Sequence, residues 1–380
     1  MSLRERLHSK VPPTSFEDWA EWFYDLAPLR VDPAGMQAAL QAVAPVQRVV
    51  EFYSPGPVLE HLAEAGRLHE SVSFNLAHRE YRGGRTYCFY HPDRDGLDVT
   101  TGGYLRESDD PRVHLQAVPR AVRHLLLPPP EHVLVNVDIK SCFLAAAAAL
   151  TGDPVLRADL DQDVHQLWGD HLVPELDREG RKGIGKLFNN ALIGGMTEFG
   201  VARAFEERGV RVTVDRARAA TAEWWSRYSR FADLRLHVWA MHERHRRARS
   251  AMWIEAPDGR MFHFDTRALD GTDRHEADPI GGARRSTFSS LFRAVEGCVL
   301  DRALALVAAE GYKLGVRLVV PMYDGALFAV PERYGGCGKA LVGGAFRQAL
   351  LDVGVPARLD LELRRAWGGP PEPEVPEGRD

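Results

Sequence analysis

Two aspartates in this chain sit where a charge is destabilising. Asp138 closes the apolar run "VLVNV" (Val133 to Val137), and Asp324 interrupts "LVVPMYDGALFAVPE" (Leu318 to Glu332). A carboxylate buried without a partner weakens the fold. An Asp-Gly pair between apolar runs is also a hairpin signal, so Asp324 reads either as a turn residue or as a ligand held on a rigid element. A pair of strand-end carboxylates is what two-metal phosphoryl transfer uses: two ions roughly 3.5–4 Å apart clamp the attacking and leaving oxygens. Magnesium takes hard oxygen ligands and keeps some waters, so two carboxylates plus substrate phosphates suffice. Strand ends supply the rigidity.

A basic row forms a second set. In "REGRKGIGKLFNNALIGGM" (Arg178 to Met196), Arg178, Lys182, Lys186 and Asn190 are spaced by four, with Arg181 and Gly185 beside them. On a helix such residues share one face. Like charges there repel, and no acid follows Glu179 at the compensating spacing. The row therefore suggests an anionic partner, a triphosphate being the natural candidate. The competing reading is a solvated face. Just upstream, "DQDVHQLWGD" holds Asp163 and His165, and a lone histidine is more often structural than functional.

Further along, Trp224, Trp225, Tyr228 and Phe231 interleave with Arg227 and Arg230, and "MHERHRRARSAMW" adds Arg244, Arg246, Arg247 and Arg249. Basic residues among aromatics suit a single-stranded nucleic-acid groove. Equally, the aromatics are core and the arginines solvated. Arg284 and Arg285 precede a long helix and suit phosphate contact in the same balanced way. Cys142 and Cys298 fall on core elements and read as small buried hydrophobes.

The elements that must position these groups follow from composition and period. The chain has 380 residues, 45% hydrophobic and 27% charged, with a net charge of -5. It is long enough for two or three lobes with a sizeable core, and a local basic surface can hide within an acidic total. Four cysteines without a CxxC pair disfavour zinc and a disulfide framework. The N-terminus lacks a signal-peptide apolar core, and the longest apolar run, Cys142 to Leu150, is too short for a membrane span. A cytoplasmic protein with no membrane partner is expected.

Residues 1 to about 70 read as short helices broken at "VPPTS", "VDPAG" and "SPGP". Ser71 to Tyr90 is strand-like, Val133 to Val137 is a buried strand, and an alanine-rich helix follows Asp138. Helix patterns dominate from 155 to about 250. A hairpin turns at Asp258-Gly259, residues 267 to 285 read as a mobile loop, and a long helix spans about Ser286 to Ala309. The Asp324 hairpin and a helix at about Gly338 to Leu351 complete the fold. The tail "GGPPEPEVPEGRD" suits disorder.

The order of these pieces resembles the DNA polymerase I family (family A), from about Thr100 to about Pro331. "DIKSCFLAAAAALTGD" (Asp138 to Asp153) looks like the family's D-Y-S-Q-I-E-L-R-x-x-A-H-x-S-G-D motif, and "DVH" (Asp163 to His165) like its D-I-H. "KGIGKLFNNALIGG" (Lys182 to Gly195) looks like R-x-x-x-K-x-x-x-F-G-x-x-Y-G. "EGCVLD" (Glu296 to Asp301) looks like Q-G-x-x-A-D, and "MYDG" (Met322 to Gly325) like V-H-D-E. "TTGGYL" and "RVHLQAVPR" echo two upstream elements.

The resemblance implies an α+β right-hand polymerase, with an antiparallel palm sheet, helical fingers and a reduced or replaced thumb. Its expected parts are 1–100 (reduced thumb), 101–160 (first part of the palm), 161–250 (fingers), 251–368 (second part of the palm) and 369–380 (tail). It implies a primer-extending nucleotidyltransferase using dNTPs and two magnesium ions, with manganese able to substitute. Asp138, Asp324 and the Ile139 carbonyl match metal ligands. Lys182 and Lys186 match the residues that grip the triphosphate, and Lys186 also matches the general acid toward pyrophosphate. His165 matches a histidine near the phosphates, and Arg178, Arg181 and Ser141 fall in the same nucleotide-facing motifs. Nucleic-acid contacts are implied at Arg106, Arg285, Arg293, Glu296 and Tyr323.

The departures also carry expectations. Phe143 replaces the family's sugar-selecting glutamate and can still block a 2'-OH. Asn190 and Gly194 replace two aromatics, so base selection is in question. Gly103 replaces an arginine, with Arg106 close by. Glu296 and Tyr323 replace minor-groove residues, and Gly325 replaces an acid. About 100 residues precede the first palm motif, which leaves no room for an exonuclease domain and predicts low processivity, or a protein partner in the thumb's place. Two alternatives follow: a template-relaxed polymerase (terminal-transferase-like, priming or lesion-tolerant), or an inactive nucleic-acid binder of polymerase descent acting on primer-template or single-stranded DNA.

Overall fold

The computed structural model describes residues 120–250 and 279–369, together with strand residues 29–31, 71–72, 75–82, 85–89, 252–255 and 261–264. Before residue 70 only Leu29–Val31 is described, and it is a strand where a short helix is expected; the rest of that stretch and the tail from 370 lie outside the described residues. The chain divides into two compact units. Unit 1 takes Met1–Ile139, Val299–Ala349 and Leu359–Asp380; unit 2 takes Lys140–Cys298 and Leu350–Arg358.

Unit 1 opens with short strands. β1 (Leu29–Val31) pairs with β2 (Ser71–Val72) and with β5 (Leu126–Leu127), and β3 (Asn75–Arg82) with β4 (Arg85–Phe89). The principal sheet has four antiparallel strands. β6 (His132–Ile139), β9 (Arg317–Pro321), β10 (Gly325–Pro331) and β11 (Leu359–Arg364) stand in the order β11-β6-β10-β9. β6 is rich in valine and leucine, which suit a pleated surface covered on both faces. Leu134, Val135 and Val137 are fully buried. One helix, Gly335–Val353, packs on the strands, with Phe346 edge-on to Phe328 at 6.5 Å.

β11 adds an edge strand at Leu359–Arg364 for which the sequence carries no expectation. Its alternation "LDLELR" has the two-residue period of a half-buried strand.

Unit 2 is helical. Its elements are α1 (Cys142–Thr151), α2 (Pro154–Leu160), α3 (Val164–Leu172), α4 (Arg178–Ile193), α5 (Glu198–Glu206), α6 (Val214–Arg227) and α7 (Ser229–Arg247). β7 (Met252–Glu255) and β8 (Met261–Phe264) form the expected hairpin. α8 (Pro279–Gly311) is the long helix, and Gly335–Val353 is α9. α8 starts inside the stretch expected as a loop, because proline is well tolerated in a helix's first turn.

Side-chain caps start five of the helices. Asp153 accepts from the Val155 and Leu156 N–H groups at 3.0 Å, Asp163 from Gln166 at 3.2 Å and Asp177 from Gly180 at 2.7 Å. Thr197 and Thr213 serve α5 and α6. Such caps satisfy N–H groups that the helix itself leaves without acceptors.

The aromatics of α6 and α7 are core. Trp224, Tyr228 and Phe231 are fully buried and Trp225 is 8% exposed. Phe231 stacks on Phe288 and meets Phe292 edge-on at 5.4 Å. That decides against a stacking groove built on these four rings. Their nearby arginines are also engaged. Arg227 grips buried Asp159 through two hydrogen bonds of 2.7 and 2.8 Å, and Tyr228 donates to the same carboxylate. Arg246 and Arg247 both pair with Glu243. Among the described residues no helix is long and apolar enough to cross a membrane.

Candidate functional site

In unit 1 the carboxylate pair is set by strand register. Asp138 is the penultimate residue of β6, and its antiparallel partner on β10 is Gly325. Asp324 sits in the turn immediately before Gly325. The Ile139 N–H donates to the Asp324 carbonyl at 2.7 Å, and the Met322 N–H closes the turn onto the Gly325 carbonyl at 2.8 Å. Both acids are half-buried, so the hairpin and the end of β6 hold their backbones side by side.

Gly325 explains one departure from the resembled motif. A Cβ there would lie 2.0 Å from the Val137 carbonyl oxygen. The close approach of β10 to β6 therefore leaves no space for a side chain, and an acid cannot occupy this place in this backbone. On the other side of β6, Asp138 faces Asp360 of β11, which is exposed. Directly opposed residues point to the same face of a sheet. Among the described residues no three His, Cys, Asp or Glu side chains converge as a metal cluster. Two half-buried carboxylates are a hard oxygen donor set that suits magnesium.

In unit 2 the site residues are carried by α3 and α4, which approach backbone to backbone. A Cβ on Gly185 would lie 1.9 Å from the His165 carbonyl oxygen, and one on Gly169 would lie 2.0 Å from that of Arg181. Two facing glycines let the helices touch. Ion pairs then cross the contact: Lys182 Nζ to Asp163 at 2.8 Å and Arg181 Nε to Asp170 at 2.6 Å. Arg181 also donates to the Leu176 carbonyl.

These pairs correct part of the sequence reading. The basic row on α4 has acidic partners after all. They come from α3, so counting along one helix cannot find them. Lys186 differs: it is exposed and makes no ion pair among the described residues. Arg178 and Asn190 are exposed on the same helix.

His165 is buried, 8% exposed, at the α3–α4 contact. Burial, with the nearby Lys186 charge, lowers its pKa to about 4 against a partial counter-effect from Asp163. It is therefore a neutral imidazole near neutral pH. Its Nε2 lies 3.1 Å from Ser141 Oγ and its Nδ1 3.1 Å from Asn189 Nδ2. Partial burial raises the Asp163 carboxyl, but hydrogen bonds from Lys182 and the Gln166 N–H hold it below the usual value.

The remaining expected residues are placed as follows. Phe143 is half-buried on α1, 6.4 Å from the Phe292 ring. Ile139 ends β6 with its side chain buried. Tyr323 is half-buried in the hairpin turn and Arg293 half-buried on α8, while Glu296 is only 1% exposed and is engaged within the protein. Arg285 falls on the first turns of α8, where only the backbone is described, and Arg106 lies outside the described residues. Asn189, which contacts His165 directly, carries no sequence expectation, and Trp224, one bond further on, is read from sequence only as a groove or core aromatic and not as a partner of this histidine. Nothing in an Asn-Asn pair says which member turns inward.

No protein-family model matches the chain, and no curated protein matches it in sequence. Among solved structures, it is similar to the POL domain of Pol1 from M. smegmatis, solved in complex with DNA primer-template and dNTP. The TM-score is 0.63 at 15% identity, covering 92% of this chain and 69% of that one. At that identity the likeness is one of fold. The chain has a helical structure with an antiparallel sheet, similar to a DNA polymerase domain.

Proposed function

We propose that this protein is a nucleotidyltransferase that extends a DNA primer with deoxynucleotides. The observation that carries the reading is the β6–β10 register, which sets Asp138 and Asp324 on neighbouring backbones in a fold similar to a polymerase domain. In this reading the four-stranded sheet is the palm, drawn from 101–160 and 251–368. The helices of 161–250 are the fingers, and residues 1–100 stand where a thumb is reduced or replaced.

Asp138, Asp324 and the Ile139 carbonyl would hold two magnesium ions. When bound, these supply charge stabilisation to the attacking and leaving oxygens. The chain's own groups bind and position. In this reading Lys186, and Lys182 once released from Asp163, neutralise the triphosphate, and Phe143 would exclude a 2'-OH. The primer hydroxyl loses its proton to solvent as its oxygen bonds to the α-phosphorus and the bond to pyrophosphate breaks, and Lys186 delivers a proton to the departing pyrophosphate and regains one from solvent. Catalysis is then positioning and electrostatics rather than covalent chemistry on the protein.

A second reading keeps the chemistry and relaxes the template. Asn190 and Gly194 are exposed at the end of α4, where the resembled family carries aromatics. An aromatic there is worth about 1–3 kcal/mol per stacked base. Primer extension on single-stranded, gapped and blunt DNA separates the two readings, with deoxy- and ribonucleotides supplied apart and magnesium or manganese present. Asp138→Ala is the control. Template-directed dNTP addition supports the first reading, and untemplated addition the second. No incorporation on any substrate supports a nucleic-acid-binding protein without activity.

A further inference from the structure

Ser141 combines features that a loop serine does not need. Its backbone is left-handed, with φ 53° and ψ 38°, uncommon for a residue with a side chain. It stands at the start of α1, yet its hydroxyl makes no capping bond. The hydroxyl instead ends a chain of hydrogen bonds that begins in the core.

The direction of that chain is fixed by elementary donor chemistry. An indole N–H can only donate, and Trp224 Nε1 donates to Asn189 Oδ1 at 2.8 Å. The Asn189 amide is thereby oriented. Its Nδ2 hydrogens go to the Val164 carbonyl at 3.4 Å and to His165 Nδ1 at 3.1 Å. A nitrogen that receives an N–H must offer its lone pair, so the proton of the neutral imidazole is on Nε2. Nε2–H then donates to Ser141 Oγ. The hydroxyl hydrogen is left to point at an acceptor other than His165. Trp224 and Asn189 are fully buried, so the polarity is set away from solvent. Lys186, whose charge acts on the same imidazole, makes the surroundings favour an anionic acceptor.

We propose that Ser141 is a binding contact for the incoming nucleotide, its hydroxyl donating to a triphosphate oxygen, and that His165, Asn189 and Trp224 are positioning residues that impose this polarity. This rests on the nucleotidyltransferase reading and changes one part of it. His165 does not meet the phosphates as a cation; it acts through Ser141.

The test uses the full chain in two arms. In the first, dTTP affinity is measured without primer by tryptophan fluorescence, and KM and kcat by primer extension. Ser141→Ala and His165→Phe each weaken dTTP binding about tenfold or more, as expected for a lost hydrogen bond to a charged group, with kcat within about twofold. His165→Gln retains a donor toward Ser141 and stays within about threefold of the wild type. In the second arm, 15N NMR of labelled histidine shows the proton on Nε2 and none on Nδ1 around neutral pH, in the wild type and in Ser141→Ala. Unchanged affinity in Ser141→Ala, His165→Gln as weak as His165→Phe, or a proton on Nδ1 overturns the proposal. A wild type that binds dTTP through Ser141 but extends no primer overturns only the polymerase reading. A wild type that binds no dTTP overturns both.

Discussion

The four-stranded sheet and the α3–α4 helix pair both present charge, but they restrain it differently. In the sheet, placement is a property of the backbone. Gly325 opposite Asp138, and the Ile139 N–H on the Asp324 carbonyl, set the two acids wherever their side chains then turn. In the helix pair, placement is a property of side chains. Asp163 holds Lys182, Asp170 holds Arg181, and Asn189 holds His165. The first arrangement suits groups that must stay fixed. The second suits groups that can exchange one partner for another, as Lys182 would on meeting a phosphate.

Glycine contacts break the comparison most forcefully. Gly325→Ala and Gly185→Ala each push a methyl group to within 2.0 and 1.9 Å of a backbone oxygen. Backbone cannot swing aside as a side-chain tip can, so each variant loses about 3 kcal/mol or more, the upper range for overpacking. Gly183→Ala, on the same helix as Gly185 with nothing within 4 Å, gains about 0.5–1 kcal/mol from helix propensity. Urea denaturation measures all three.

Acid should weaken the helix pair, and His165 sets the window. Its pKa is near 4 when folded and near 6.5 when exposed, so between these values the unfolded chain binds more protons. The contribution is fully present above about pH 6.5 and lost as pH falls toward 4, reaching about 3 kcal/mol. His165→Gln removes this step from the stability–pH curve. Asp163, with its lowered pKa, adds a loss only at still lower pH.

Smaller effects separate the two lysines. Lys186→Met raises the dNTP KM about tenfold or more, because it removes a charge with no competing ion pair among the described residues, and it lowers kcat as well, because the proton donor to pyrophosphate is lost. Lys182→Met also breaks the Asp163 pair. With both side chains nearly half exposed, that loss is at most about 1 kcal/mol of stability, and it shrinks with added salt.

The same contrast governs what the sequence discloses. β6, the Asp324 hairpin and α9 were legible because apolar runs, an Asp-Gly turn and helical spacing are local signals. The capping roles of Asp153, Asp163 and Asp177 are local too. The partners of Lys182 and Arg181 were not, because Asp163 and Asp170 lie on another helix whose contact depends on Gly169 and Gly185. Trp224, Trp225, Tyr228 and Phe231 look the same in sequence whether they stack on bases or fill a core, and only burial separates the two. Asn189 and Asn190 differ only in the face of α4 they occupy. β11 escaped because its alternating acids resemble a charged loop, although its period is that of a strand.

Primer extension by Asp324→Ala and Asp138→Ala, beside the wild type with magnesium, tests the central claim most directly. Removing either acid takes away several kcal/mol of transition-state stabilisation, so each variant should lose about a thousandfold or more in rate while remaining folded. Undiminished incorporation by Asp324→Ala would contradict the account and return Asp324 to the role of a turn residue.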